Sequence, residues 1–322
     1  MSSEKCRVAV IGVGYLGRFH ARKYAGLKEA SLIYCVDTDQ ARASEVAQEI
    51  NARPESDYRR VLSEVDAVSI AVPTPLHYRV ARDCLEAGLD ILLEKPVTQT
   101  LEEADLLIGL AAKKKRIFMA GHLERFNPPL RKLEDTLVKP AFIQAERLGP
   151  FRERAANIDV VLDLMIHDVD IVLGFVDANL KRISAIGVPV LSDKVDLANA
   201  RLEFENGAVA NLTASRVSLG EATRKIRIFQ HSSYTSIDTQ AQKMAVFTLG
   251  EGSAEDPMSR IRVEQIELDR QDALEQEIKE FLSCVRDRRE PKVSGAQGRR
   301  ALEVSLQILE CIESTPRAEE LD

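Results

Sequence analysis

The chain has no apolar run long enough to cross a bilayer, no closely spaced cysteines, no excess of positive charge and no tryptophan. The first absence argues against a membrane-spanning helix, and the polar opening residues make an apolar signal segment unexpected. The opening Met-Ser-Ser-Glu-Lys leads straight into a strand pattern, so a cytoplasmic location is expected. Cys6, Cys35, Cys84, Cys284 and Cys311 are scattered, which argues against a disulfide framework and for reduced thiols. The balance of 44 basic against 51 acidic residues gives a net charge of −7 and speaks against nucleic acid as a main partner. One basic run, Lys113-Lys114-Lys115-Arg116, closes a helical pattern, where cations suit the carbonyl end of the dipole. No repeat or low-complexity segment occurs, and the lack of tryptophan limits nothing about function.

What is present suffices for two cores: 322 residues, 45% hydrophobic and 30% charged. From 7 to about 120, strand-like runs (8–11, 32–36, 67–71, 91–93, 117–120) alternate with helical patterns (15–27, 39–50, 76–87, 101–114). This alternation predicts an α/β domain over 1–122, a parallel sheet covered on both faces. After 122 the pattern changes. A helix near 128–137 and a strand near 142–148 precede a helical stretch over 160–175. Seven strand-like runs follow between 182 and 268, with Asn206-Gly207 as a hairpin signal between two of them. Helices near 271–287 and 298–313 close the chain. The region 123–322 is therefore expected to be an α+β domain on an open antiparallel sheet, with one face under the 160–175 helix. The other face needs a cover, for which a second copy of the chain is the expectation.

The densest signal lies in the first 37 residues. A short apolar strand runs into Gly12-Val-Gly14-Tyr15-Leu16-Gly17, then come a helix, a second strand and Asp37, twenty residues after Gly17. The order and spacing suit a dinucleotide-binding unit. Gly12 permits the tight turn, Gly14 lets a pyrophosphate approach the backbone, and Gly17 lets the helix pack close to the strand. The helix N-terminus offers unpaired N–H groups to the phosphates. Asp37 can accept from both ribose hydroxyls and would repel a 2′-phosphate, so NAD is expected rather than NADP.

Three further segments can carry chemistry. Glu94-Lys95-Pro96 ends a strand; there the Lys95 ammonium can favour a developing alkoxide, and Pro96 is a candidate for a cis bond. In 160–175, an otherwise apolar helix carries Asp163, His167 and Asp170 at i, i+4 and i+7, one polar stripe without Lys, Glu or Gln. His167 can accept a hydroxyl proton and Asp163 can orient the ring, although a satisfied structural histidine is the competing reading. A metal at this Asp/His/Asp set lacks a His- or Cys-rich partner segment, so none is expected. Gly121-His-Leu-Glu-Arg125-Phe-Asn127-Pro128 lies where the domains join. Arg125 is the expected substrate ligand, and Asn127 either a ligand or the cap of the following helix. Arg147, Arg152 and Arg154 are either solvated charges or contacts to a phosphate.

Taken together, Gly12–Gly17, Ala71-Val-Pro73-Thr74-Pro-Leu-His77, Glu94-Lys95-Pro96 and Asp163-Leu-Met-Ile-His167-Asp168 resemble the glucose–fructose oxidoreductase, inositol dehydrogenase and rhizopine-catabolism family (Gfo/Idh/MocA). The resemblance covers nearly the whole chain. It implies a Rossmann domain, a C-terminal antiparallel-sheet domain and homodimers or homotetramers. It also implies cofactor contacts from Gly12, Gly14, Tyr15, Leu16, Gly17, Asp37, Ala71, Pro73, Thr74, His77, Glu94 and Lys95. Lys95, Asp163 and His167 would serve substrate binding and proton transfer, with Arg125 and Asn127 as further substrate contacts. The expected activity is dehydrogenation of a sugar or nucleotide-sugar secondary hydroxyl. The 121–128 and 163–168 segments point to the nucleotide-sugar branch and the 3-hydroxyl of UDP-N-acetylglucosamine. The alternatives are a keto-sugar reductase, the same chemistry reversed, and a non-catalytic NAD- and sugar-binding regulator of the same fold.

Overall fold

A computed structural model describes residues 5–134, 139–153, 156–218, 220–250 and 260–315. The chain forms two compact units, one running up to Leu123 and including Asp272–Arg300, the other comprising Glu124–Gln271 and the residues from Ala301 on. The leading segment of the first unit ends at Leu123. The return of 272–300 to the first unit is a departure from the expected 123–322 domain. It comes about because this segment packs locally on the first unit: Lys23 pairs with Asp272 at 2.7 Å, and Ala120 N–H donates to Val293 O at 2.9 Å.

The first unit contains β1 (Cys6–Ile11), α1 (Tyr15–Gly26), β2 (Ala30–Val36), α2 (Gln40–Ile50), β3 (Arg53–Glu55), β4 (Ala67–Ile70), α3 (His77–Glu86), β5 (Asp90–Glu94), α4 (Leu101–Lys114) and β6 (Phe118–Gly121). The six strands are parallel in the order β3-β2-β1-β4-β5-β6. Every residue of β4 and β5 is buried, as expected of central strands covered on both faces. Helix starts follow local chemistry. The Asp39 side chain accepts from Ala41 and Arg42 N–H, and Thr100 with Glu103 forms a reciprocal capping box. The chain order reverses beside β1, so the tips of β1 and β4 flank the crevice in which such sheets bind ligands.

The second unit contains α5 (Pro128–Glu134), β7 (Phe142–Leu148), a π-helical turn (Val161–Met165), α6 (Ile166–Phe175), and strands β8 (Leu180–Val188), β9 (Leu197–Phe204), β10 (Val209–Ser215), β11 (Thr223–Gln230), β12 (Ser233–Asp238), β13 (Lys243–Leu249) and β14 (Ile261–Ile266). They form one eight-stranded sheet, β14-β13-β12-β11-β7-β10-β9-β8, antiparallel except for the β7–β10 pair. Gly207 at φ +86° closes the β9–β10 hairpin, as its Asn-Gly dipeptide predicts. One sheet face carries Ile143, Ala145, Leu202, Leu212, Ile226 and Ile228 against Val160, Val161, Met165, Val169 and Val172 of the helical stretch. The opposite face bears a cross-strand aromatic row, Phe142–Phe229–Tyr234–Phe247, with successive ring centroids 5.7, 4.7 and 5.0 Å apart. Two helices follow: α7 (Ala273–Asp287) in the first unit, and α8 (Gly295–Ser314), which begins in the first unit and ends in the second.

Candidate active site

At the β1 tip, Gly12 has φ +85°, and a Cβ there would lie 2.7 Å from Ala71 O. A Cβ on Gly17 would lie 1.7 Å from Gly12 O, so the helix can start this close to the strand only with glycine. A Cβ on Gly14 would meet nothing within 4 Å, so the helix N-terminus is open at the position expected to face a pyrophosphate. Tyr15 and Leu16 begin α1 just beyond it, with Tyr15 exposed and edge-on to Phe19. Asp37 is nearly buried at the end of β2. Its Oδ2 accepts from Val13 N–H at 3.1 Å, its Oδ1 from Asp39 N–H at 3.0 Å, and the Arg42 guanidinium stands 3.3 Å away. These residues fit a nicotinamide dinucleotide: an open helix end for its phosphates and a carboxylate fixed by backbone N–H groups for its ribose.

At the β4 and β5 tips the expected cofactor contacts divide. Ala71 continues the β4 tip, its N–H bonded to Ile11 O, and Pro73 and Thr74 lead a short 3₁₀ turn. His77 is buried, with Nδ1 2.8 Å from Pro96 O and Nε2 2.9 Å from Val72 O. It braces two strand-tip loops together and does not present an open ring. Burial holds its pKa below the usual imidazole value, although both carbonyls favour the charged form. Glu94 is likewise buried. Its Oε1 lies 2.9 Å from His20 Nε2, and its Oε2 accepts from Lys95 N–H at 3.3 Å. His20 extends this network to Ser69 Oγ and thence to Tyr24 OH. The Lys95–Pro96 peptide bond is cis, as the motif suggested. The strand tip that carries Lys95 is therefore supported from behind by two buried histidines. Sequence reasoning missed His20, whose only signal is its place on the inward face of α1. His20, Glu94 and Glu277 also place one potential metal-ligand atom each within 4.8 Å of one another, all buried, but His20 and Glu94 already bond each other.

In the second unit, Asp163 sits on the π-turn and His167 one turn later on α6, both partly buried. A π-turn widens the helix and alters the regular stripe predicted from sequence; such turns recur at functional positions. The third member of the stripe, Asp170, is structural: it is buried, its carbonyl accepts from Arg125 Nη1 at 3.2 Å and its carboxylate stands 3.8 Å from the same guanidinium. Arg125, the expected substrate ligand, is accordingly buried against α6, where a Cβ on Gly174 would collide with its guanidinium. Asn127 precedes α5 as predicted, and its carbonyl accepts from Arg131 N–H at 3.0 Å. Its side chain does not cap: Oδ1 accepts no hydrogen bond among the described residues, while Nδ2 donates to Thr239 O at 2.9 Å.

Arg147 belongs to neither expected class. It is buried at the centre of an ionic network, donating through Nε and Nη2 to Asp168 at 2.9 and 2.8 Å and through Nη1 to Glu124 at 2.9 Å. Arg224 donates to the same Glu124 oxygen at 3.1 Å. Burial would raise the Glu124 pKa, but Arg147 and Arg224 outweigh it and hold the carboxyl below its ordinary value. Burial would also lower the Arg147 pKa, and Asp168 and Glu124 reverse that. Asp168, next to His167, thus ties α6 to β7. Arg152 is exposed and Arg154 lies outside the described residues. Asp163 shares a cavity of about 260 Å³ with Arg147, Arg152, Arg216 and Arg224.

A Rossmann unit with a lysine-tipped strand, followed by a sheet unit whose covering helix carries Asp163 and His167, defines a nicotinamide-dependent dehydrogenase. Residues 6–122 match the oxidoreductase family with an NAD-binding Rossmann fold, and 142–231 match the Gfo/Idh/MocA C-terminal domain. The chain belongs to the Gfo/Idh/MocA oxidoreductases. It is 40% identical to the UDP-N-acetylglucosamine 3-dehydrogenase of Acidithiobacillus ferrooxidans over 96% of this chain and 97% of that protein. A solved structure of that enzyme superposes with a TM-score of 0.92, covering 97% of this chain and 98% of the other. The myo-inositol 2-dehydrogenase of Thermotoga maritima is 26% identical over 92% and 93% of the two chains.

Proposed function

We propose that this protein oxidises the 3-hydroxyl of UDP-N-acetylglucosamine, with NAD rather than NADP as its cofactor. The observation that carries this reading is the 40% identity to a UDP-N-acetylglucosamine 3-dehydrogenase across 96% of the chain, with Lys95, Asp163 and His167 in their motifs. When the dinucleotide binds, its nicotinamide would supply the hydride acceptor. His167 takes the hydroxyl proton, the Lys95 ammonium donates a hydrogen bond to the oxygen as it becomes an alkoxide, and Asp163 orients the imidazole or a sugar hydroxyl. Asp37 supports NAD: its oxygens are held by backbone N–H groups where a ribose would bind, and a 2′-phosphate would meet a carboxylate. The test is NADH formation from NAD with UDP-N-acetylglucosamine, free N-acetylglucosamine and myo-inositol in parallel. Turnover confined to the nucleotide sugar is expected; faster turnover of myo-inositol, or none of any sugar, rejects the reading.

The same reading includes a homodimer or homotetramer formed through the outer sheet face. Its support is the aromatic row and the exposed Leu249, Ile261 and Val263 beside it. Light scattering at micromolar concentration checks this, and a monomer counts against it. The five unpaired cysteines support a cytoplasmic location.

A further inference from the structure

The cavity beside Asp163 has a donor-rich wall that the hydride chemistry does not use. Four of its lining residues are arginines, and Asp163 is the carboxylate among them. Two of the four are committed to the fold. Arg147 is saturated by Glu124 and Asp168. Arg216 is buried, bonding Asp196 through Nε at 2.6 Å and Ser192 Oγ through Nη2 at 2.9 Å. The other two keep donors to spare. Arg224, 46% exposed, spends only Nη1, on Glu124. Arg152 is exposed and makes no ion pair or hydrogen bond among the described residues. The carboxylates that balance these charges have their lone pairs occupied: Glu124 Oε1 accepts from both Arg147 and Arg224, and Asp196 accepts from three backbone N–H groups and Arg216. An anion entering the cavity therefore meets the unspent guanidinium N–H groups of Arg152 and Arg224, with Asp163 as the carboxylate in the lining.

We infer that Arg152 and Arg224 form a clamp for a diphosphate ester, the diphosphate of a nucleotide-sugar substrate. Guanidinium forks match phosphate oxygens two bonds at a time, which an ammonium cannot do. The cavity volume of about 260 Å³ is below that of a whole drug-sized ligand site. It takes the diphosphate and the adjoining part of the sugar, with Asp163 lining the same cavity. The inference rests on the nucleotide-sugar reading and adds its specificity: the clamp separates UDP-sugars from free sugars and cyclitols, which have no charge to offer it. The dinucleotide cofactor also contains a diphosphate, so the test must separate the two.

The experiment is calorimetric titration of UDP, inorganic pyrophosphate and NAD into the full-length wild type, Arg152→Ala and Arg224→Lys, with steady-state kinetics on UDP-N-acetylglucosamine. Arg152→Ala removes an exposed side chain and should fold normally. Arg224→Lys keeps the charge and removes the fork. Each variant is expected to weaken UDP about tenfold or more, with the kinetic loss falling mainly on KM and with NAD affinity kept. Unchanged UDP affinity in both variants, or a loss confined to NAD, overturns the clamp. If the wild type turns over no nucleotide sugar, the substrate reading fails alone: loss of UDP and pyrophosphate binding in the variants still upholds the clamp, and its retention removes it.

Discussion

The two units hold their functional groups by different means. At the strand tips of the first unit, position comes largely from the backbone and from buried histidines: a positive-φ glycine, a cis Lys95–Pro96 bond, His77 between two carbonyls and His20 on Glu94. In the second unit it comes from buried ions, Arg147 between Glu124 and Asp168, and Arg216 on Asp196. A cofactor of fixed shape suits a rigid backbone cradle. Arginine–carboxylate networks instead brace the helix that bears His167 and leave neighbouring guanidinium groups to meet a charged ligand. A buried ion pair gives little net stability over a hydrophobic pair, but losing one partner is costly.

The difference can be broken most severely at Arg147. Arg147→Ala leaves Glu124 and Asp168 buried without their shared cation, and a loss of about 3–5 kcal/mol is expected in chemical denaturation. A loss below about 1 kcal/mol means that the network is not what holds the second unit. Next in size, Lys95→Ala and His167→Ala, one from each unit, should each lower turnover about 10²-fold or more while NAD still binds. Near-normal turnover in both removes the proposed acid–base roles. Asp37→Ala should weaken NAD about tenfold and narrow its advantage over NADP, measured by cofactor titration. An unchanged NAD/NADP ratio would mean that Arg42 and the backbone, not the carboxylate, set the preference. The smallest effect is on pH dependence. Glu124 has a depressed folded-state pKa, so its contribution is complete above the unfolded value of about 4.3 and is lost as pH falls through the lower folded value. Melting temperatures between neutral and acid pH should therefore fall less steeply in Glu124→Gln than in the wild type.

How much could be read in advance follows the same division. The glycine turn, Asp37, the Lys95 strand tip and all eight strands of the second sheet depend on local pattern, and the structure has each of them. The three-residue strand β3, with Pro54 at its centre, has too little pattern to be seen. The role of Arg147 depends on partners 21 and 23 residues away, and that of Arg125 on one 45 residues away, which no local rule brings together. His77 and Glu94 belong to the expected motif, but their buried side chains support the strand tip from behind. Asp170 fits the polar stripe by its spacing, yet its contact with Arg125 makes it a packing group.

The first unit is interrupted: its strands precede Leu123, while α7 and the segment through Arg300 come only after the whole of Glu124–Gln271. During synthesis the nucleotide-binding unit cannot be completed until the whole of Glu124–Gln271 has left the ribosome, because its final helix follows that segment. A fragment ending at Leu123 would carry the glycine turn and still lack a wall of its own core, so the apparent modularity of the N-terminal third does not extend to folding in isolation.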